Sequence, residues 1–232
     1  MERAPTGIIG LDQLLRGGLP VGSMILILGA TGSGKSTLAK QFLYQALTKH
    51  RPAVLVDTHE PLELARETMC SNDWNGELLD KMTFVDCYSW RTGGGGGKYS
   101  GTPKNLTELS ITLGEFVKKN IQADSRARFV IDSFSDFIIH AGADASARFL
   151  ESLKARLAER KTVSLVLLEE GLHDEKTNAA IEYIADGTIR MRYAEGGRHL
   201  MVSRMQATPA TLKWVPFTLA RGLELAVADY FR

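Results

Sequence analysis

Apolar runs of strand length recur along the chain, at Met24–Leu28, Ala53–Val56, Met82–Val85, Phe129–Ile131, Val163–Leu168 and Thr188–Met191. Between most of them the spacing turns helical. Leu38, Phe42, Leu43, Ala46 and Leu47 fall on one helix face after the first run. Further helical patterns cover Pro61–Cys70, Leu106–Lys119 and Ala145–Glu159. In the third of these four segments Leu106, Leu109, Leu113, Phe116 and Val117 share a face, and in the last Phe149, Leu150, Leu153 and Leu157 do. Strands alternating with helices predict an α/β fold, a mostly parallel twisted sheet with helices on both faces. The tail reads differently. His199–Met205 and Leu212–Leu219 have strand character and are joined by Gln206–Thr211, which predicts a C-terminal β-hairpin closing one edge.

The joint between the first strand and the first helix carries chemistry. "GATGSGKST", Gly29 to Thr37, fits G-x-x-x-x-G-K-[ST] with Gly29, Gly34, Lys35 and Ser36. A chain of this length matches that pattern by chance about once in a hundred, given ordinary glycine usage near 7%. The flanking strand and helix are the context the motif requires. Glycines let the loop turn so that the backbone N–H groups of Ala30, Thr31, Gly32, Ser33 and Thr37 converge on anionic oxygens. The helix aims its positive end at the same place. Lys35 can reach the β- and γ-phosphates of ATP, and Ser36 can place its hydroxyl on Mg2+.

Composition narrows the field. The 232 residues are 44% hydrophobic and 24% charged, enough for one core, and one domain over residues 1–232 is expected. A net charge of +1 gives no global field for nucleic acid or membrane. Two cysteines, Cys70 and Cys87, make no disulfide framework and read as buried apolar groups in a reducing compartment. No apolar run reaches membrane-spanning length, so a cytoplasmic protein without a membrane partner is expected. Residues 91–103 contain five consecutive glycines, and the expectation there is a mobile surface loop.

A triphosphate site needs an acid for the metal and a group that activates water. Asp132 ends the run Phe129–Ile131 at the carboxyl edge of a strand, where ligands bind in open α/β sheets, and is the expected Mg2+ partner. "VDTHEP" ends another strand with Asp57, His59 and Glu60. Glu60 is the leading candidate for the base, and its alternative role is a first-turn acid favoured by the helix dipole. Asp57 and His59 are the next candidates.

These residues resemble the KaiC-like and RadA-like branch of the RecA-type ATPases. "TGIIGLDQLLRGGLP" followed by strand and phosphate loop is similar to that family's opening, "FVIDSFS" to its second nucleotide motif, and "WVPFTLARGLEL" to its closing strand. "IEYIADGTIRMRYAEGGRHLMVSRM" is similar to its late segment, whose hairpin carries residues reaching a neighbouring subunit's nucleotide. The resemblance covers essentially the whole chain. It implies a RecA-type core, and a homo-oligomer, ring or filament, with ATP at subunit boundaries. Through it Arg204 is implied as a cation acting on the neighbour's nucleotide.

Three departures accompany the resemblance. The family's paired glutamates are replaced by Thr58 and His59, with Glu60 one step later. The late Lys-Met-Arg-Gly motif reads Arg204, Met205, Gln206, Ala207, so its second cation is neutral. The resemblance spans a single core, so neither circadian timing nor autophosphorylation transfers. Residues 140–148 and 169–180 lie where RecA-type proteins place loops facing the assembly axis. They hold few cations, Arg148 and Lys176 among them, and cations dominate nucleic-acid affinity. The readings that follow are a slow assembling ATPase, a non-hydrolysing ATP switch for a protein partner, and an accessory factor in DNA recombination.

Overall fold

The computed structural model describes residues 1–93, 97–194, 196–208 and 212–225. The amino-terminal segment forms a small antiparallel pair, β1 (Arg3–Ala4) with β2 (Leu19–Pro20), bracketing helix α1 (Ile9–Leu14). The main sheet then builds from β3 (Met24–Gly29), β4 (Ala53–Asp57), β5 (Thr83–Asp86), β6 (Tyr99–Ser100), β7 (Arg128–Asp132), β8 (Val163–Glu169) and β9 (Gly187–Ala194), all mutually parallel. Three antiparallel strands extend it, β10 (Gly197–Met205), β11 (Val215–Leu219) and β12 (Leu223–Leu225). Their order across the sheet is β12-β11-β10-β9-β3-β8-β7-β4-β5-β6.

Alternation along each parallel strand divides the core into two layers. Ile25, Ile27, Leu55, Val130, Leu165 and Leu167 pack on one face with Leu38, Phe42 and Leu43 of helix α2 (Lys35–Leu47). Met69 of α3 (Leu62–Cys70) and Leu79 of α4 (Gly76–Leu79) join the same layer. Leu26, Leu28, Val54, Val56, Phe129, Ile131 and Leu168 face the other way. There they meet α5 (Leu106–Asn120), α6 (Ser135–Ala141), α7 (Ala143–Glu159) and α8 (Glu175–Ile184). Period-two strands buried on both faces are what helices on both sides of a parallel sheet demand. Arg128, fully buried at the start of β7, donates to the Phe42 carbonyl at 2.8 Å and to the Pro5 carbonyl, tying α2 and the amino-terminal segment to the sheet.

Some expectations need correcting. The closing hairpin of β10 and β11 is present, but they pair only over 198–200 with 215–217, so the connection is wide rather than tight. The edge itself is β12, and β9 pairs with β10 along nearly its full length. Residues 140–148 are not a loop. Gly142, at φ +84, only separates α6 from α7, and the alanines after it continue as helix. Residues 175–180 are likewise the start of α8, whose N-cap Asp174 accepts from the Thr177 N–H at 2.6 Å. In the glycine-rich segment Tyr99–Ser100 adds a short edge strand, and the expected mobility falls partly on 94–96, outside the described residues.

Candidate functional site

The parallel strands end at one edge of the sheet and bring acidic side chains there together. Register places Asp57 beside both Asp86 and Asp132, and Gly29 beside Glu169 and Met191. The loop from Gly29 to Gly34 rises from the middle of this edge.

Its shape explains its glycines. Gly32 and Gly34 have φ of +76 and +103, the left-handed region, and Gly34 is the N-cap of α2. A Cβ on Gly29 would stand 2.3 Å from the Met191 carbonyl oxygen, so the loop rests directly on β9. Ala30, Thr31 and Gly32 form an exposed rim, while Ser33 and Lys35 are buried. The Ser33 hydroxyl has no hydrogen-bond partner among the described residues. Lys35 leads the helix inward. Its ammonium donates to the carbonyls of Gly29 and Ala30 and to Glu169 Oε2, each at 2.9 Å.

Behind the loop the Ser36 hydroxyl favours the ionised form of the Asp132 carboxylate. Burial raises the Asp132 pKa, opposed by Ser36, His59, Lys40 and Lys35. A hydroxyl plus one carboxylate suits a small hard cation that keeps several waters and takes its other ligands from phosphate. Among the described residues no cluster of three or more His, Cys, Asp or Glu forms an all-protein metal cage. The donor set therefore fits Mg2+ arriving with a phosphate.

Asp57 has another role. Its carboxylate accepts from the backbone N–H groups of His59 at 2.8 Å and Glu60 at 3.1 Å, closing the turn after β4. Burial, then the charges of Asp132 and Glu60, push its pKa up to about 8. Thr58 fastens this turn to the end of β7: its N–H donates to the Asp132 carbonyl at 2.8 Å and its hydroxyl accepts from the Ser133 N–H at 3.0 Å. His59 is exposed, and Glu60 is ion-paired with Lys40, one helical turn after Ser36 on α2.

The predicted residues thus separate into two places. The loop, Ser36, Asp132 and Glu60 gather at the carboxyl edge. Arg204 pairs in register with Thr188, itself level with Leu26, toward the opposite edge. A bulge between Val202 and Arg204 reverses the alternation there, so that Met205 buries on the α2 side and Arg204 turns toward α8. Its guanidinium donates to the carbonyls of Glu182 and Ala185 at the end of α8, both at 2.5 Å. It also borders a cavity of about 680 Å3 with Lys154, Tyr183, Asp186 and Gln206. That cavity lies toward the opposite edge of the sheet from the phosphate loop.

Two participants escape the sequence reading. Lys40 occupies a position that helical periodicity assigns no task. Glu169 ends β8 beside the loop, and its only signal was a carboxylate at the carboxyl end of the run Val163–Leu168, the same signal that singled out Asp132.

A mostly parallel ten-stranded sheet with a glycine loop, lysine and acids at its carboxyl edge has the architecture of the RecA superfamily. A solved KaiC-like protein from the archaeon Pyrococcus horikoshii OT3 superposes with a TM-score of 0.76 at 24% identity, covering 97% of this chain and 99% of that one. The chain belongs to the KaiC family of ATPases, whose family model matches residues 4–227. Its relatives include UPF0273 proteins of Thermotoga maritima, 27% identical over 94% of this chain and 93% of its own length, and of Methanocaldococcus jannaschii, 28% identical over 94% and 93%. No helix among the described residues is long and apolar enough to cross a membrane.

Proposed function

We propose that the chain binds ATP with Mg2+ at the loop Gly29–Thr37 and hydrolyses it slowly, as one unit of a head-to-tail homo-oligomer. The observation that carries this is the meeting of Lys35, Ser36 and Asp132 around one loop of left-handed glycines at a strand–helix joint. Backbone N–H groups and the α2 dipole hold the β-phosphate, and Lys35 bridges toward the terminal one. Ser36 and Asp132 would hold Mg2+, which would supply positive charge against the charge developing on the phosphate.

Slowness follows from two side chains. Glu60 is the carboxylate available to take a proton from water, and it is engaged by Lys40. Gln206 offers no charge where relatives of this fold carry a second cation. Assembly is supported by the opposite placement of the two half-sites. A heterologous contact stacking one subunit's carboxyl edge on the next one's opposite edge brings Arg204 and Gln206 near the neighbour's loop. Tyr183, 85% exposed beside Arg204, is a large side chain of the kind such an interface covers.

The Glu60–Lys40 pair also favours a second reading, a switch that binds ATP without hydrolysing it and presents an ordered surface to a protein partner. Phosphate release over hours separates the two. ATP binding itself is tested by thermal shift. A ligand that binds only the folded state at a hundred times its Kd stabilises by about 2.7 kcal/mol. Lys35→Ala should lose most of that shift, and an unchanged shift in the variant would place the nucleotide elsewhere.

A further inference from the structure

The three N–H donors of the Lys35 ammonium are all engaged, two by loop carbonyls and the third by Glu169 Oε2. The same oxygen accepts from the Thr31 hydroxyl at 3.0 Å, so one carboxylate clasps the loop from its rim and from its buried lysine. Glu169 is held in turn. Its N–H donates to Ser135 Oγ at 2.9 Å, and the next N–H, of Glu170, donates to the Gly29 carbonyl at 3.0 Å. Its side chain is 17% exposed and that of Lys35 is 4% exposed, so the pair is only weakly screened.

We infer that Glu169 is an internal competitor for the phosphate loop, a specificity-determining residue that admits a phosphate ligand carrying its own divalent cation and opposes the bare anion. The inference rests on the reading of the loop as an ATP site. A phosphate oxygen can reach the lysine only by replacing one of its three acceptors. Displacing a carbonyl leaves two anions crowded on one ammonium. Displacing Glu169 leaves its carboxylate beside the incoming phosphate, and like charges at that range repel. A bound cation relieves this repulsion and a metal-free polyphosphate does not. A neutral residue at 169 would weaken that distinction, leaving what Ser36 and Asp132 contribute.

Equilibrium binding of ATP, by calorimetry or a fluorescent ATP analogue, with Mg2+ and again with EDTA, tests this on the full chain. Glu169→Gln keeps the shape and removes the charge. It should tighten metal-free ATP by about tenfold or more, within the usual range of coupling between two sites, and tighten Mg-ATP by much less. Thr31→Ala, on the exposed rim, loosens the same clasp and should shift the ratio in the same direction by a smaller factor; it carries the test alone if Glu169→Gln does not fold. An unchanged ratio of the two affinities overturns the inference. So does a loss confined to Mg-ATP, which would make Glu169 a partner of the metal, or an equal loss of both, which would make it a brace. If the native chain binds Mg-ATP through Lys35 and the ratio stays fixed, this inference falls alone. If the folded native chain binds ATP under neither condition, the ATP reading falls and takes it along.

Discussion

Lys40 of α2 and Glu60 of the turn after β4 form an ion pair with both side chains largely buried, 6% and 19% exposed. The turn that carries Glu60 is shaped by Asp57, so a backbone device and a charge fix one carboxylate beside the phosphate loop. Removing either partner strands the other charge. Glu60→Gln or Lys40→Met alone should cost about 1–3 kcal/mol, short of a fully buried pair because Glu60 keeps some water. The double variant should cost less than the two singles together, with a coupling of about 0.5–3 kcal/mol in denaturant unfolding. Additive costs would mean that the pair contributes nothing to the fold.

Asp57 predicts a pH dependence. Its pKa in the folded chain is about 8, against an ordinary 3.8, because burial and then Asp132 disfavour its ionised form. Between these values the native state holds a proton that the unfolded chain has lost. Stability from this group is therefore complete below about pH 4 and is lost as pH rises toward 8. Asp57→Asn keeps an acceptor for the His59 and Glu60 N–H groups and removes the titration. In EDTA its melting temperature should gain on the native protein steadily from pH 5 to pH 8. Parallel curves for the two proteins would show that Asp57 does not titrate in this window.

How much of this was legible in the sequence depends on the range of the interaction. The run Met24–Leu28 became β3, and the helical spacing from Leu38 to Leu47 became α2, because both are local periodicities. Asp132 was legible as a strand-end acid downstream of a phosphate loop. Glu169 ends its strand in the same way, but the sequence groups it with the loop segment 169–180, and only the β3–β8 register brings it to Lys35. Lys40 is one polar position on an amphipathic helix until the turn after β4 places Glu60 opposite it. The local contacts of Arg204 with α8 were not legible for a similar reason. The bulge that turns it toward α8 is a one-residue change of register, invisible in an alternating pattern.

Arg204 now has a measurable local task. It donates to two carbonyls at the end of α8, where a cation also meets the favourable end of the helix dipole. Arg204→Ala should raise hydrogen exchange at residues 182–186 and lower stability by about 0.5–1.5 kcal/mol, the range for an ordinary hydrogen bond, because the exposed guanidinium keeps part of its water. The proposed assembly adds a second effect. Light scattering should show ATP with Mg2+ enlarging the native protein's mass, and Arg204→Ala should weaken that response. A native chain that stays monomeric at high concentration with and without ATP would end the assembly proposal.

Turnover is the last expectation, and it follows from which charges can reach the transition state. Phosphoryl transfer is accelerated by a placed base and by cations that meet the charge on the departing group. Glu60 is shared with Lys40, and Gln206 is neutral. An arginine acting from a neighbouring subunit is worth roughly 10³–10⁵ in rate in related chemistry, so its absence alone removes several orders of magnitude. The native protein should release phosphate far below one per second while binding ATP well. Glu60→Gln should abolish what remains. Gln206→Arg should accelerate release, and the gain should grow with protein concentration, because the added cation acts only across a subunit boundary. Rapid native turnover, untouched by Glu60→Gln, would move water activation to another group. An acceleration by Gln206→Arg that ignores concentration would place that residue beside its own subunit's nucleotide, against the separation of the two edges along β9 and β10.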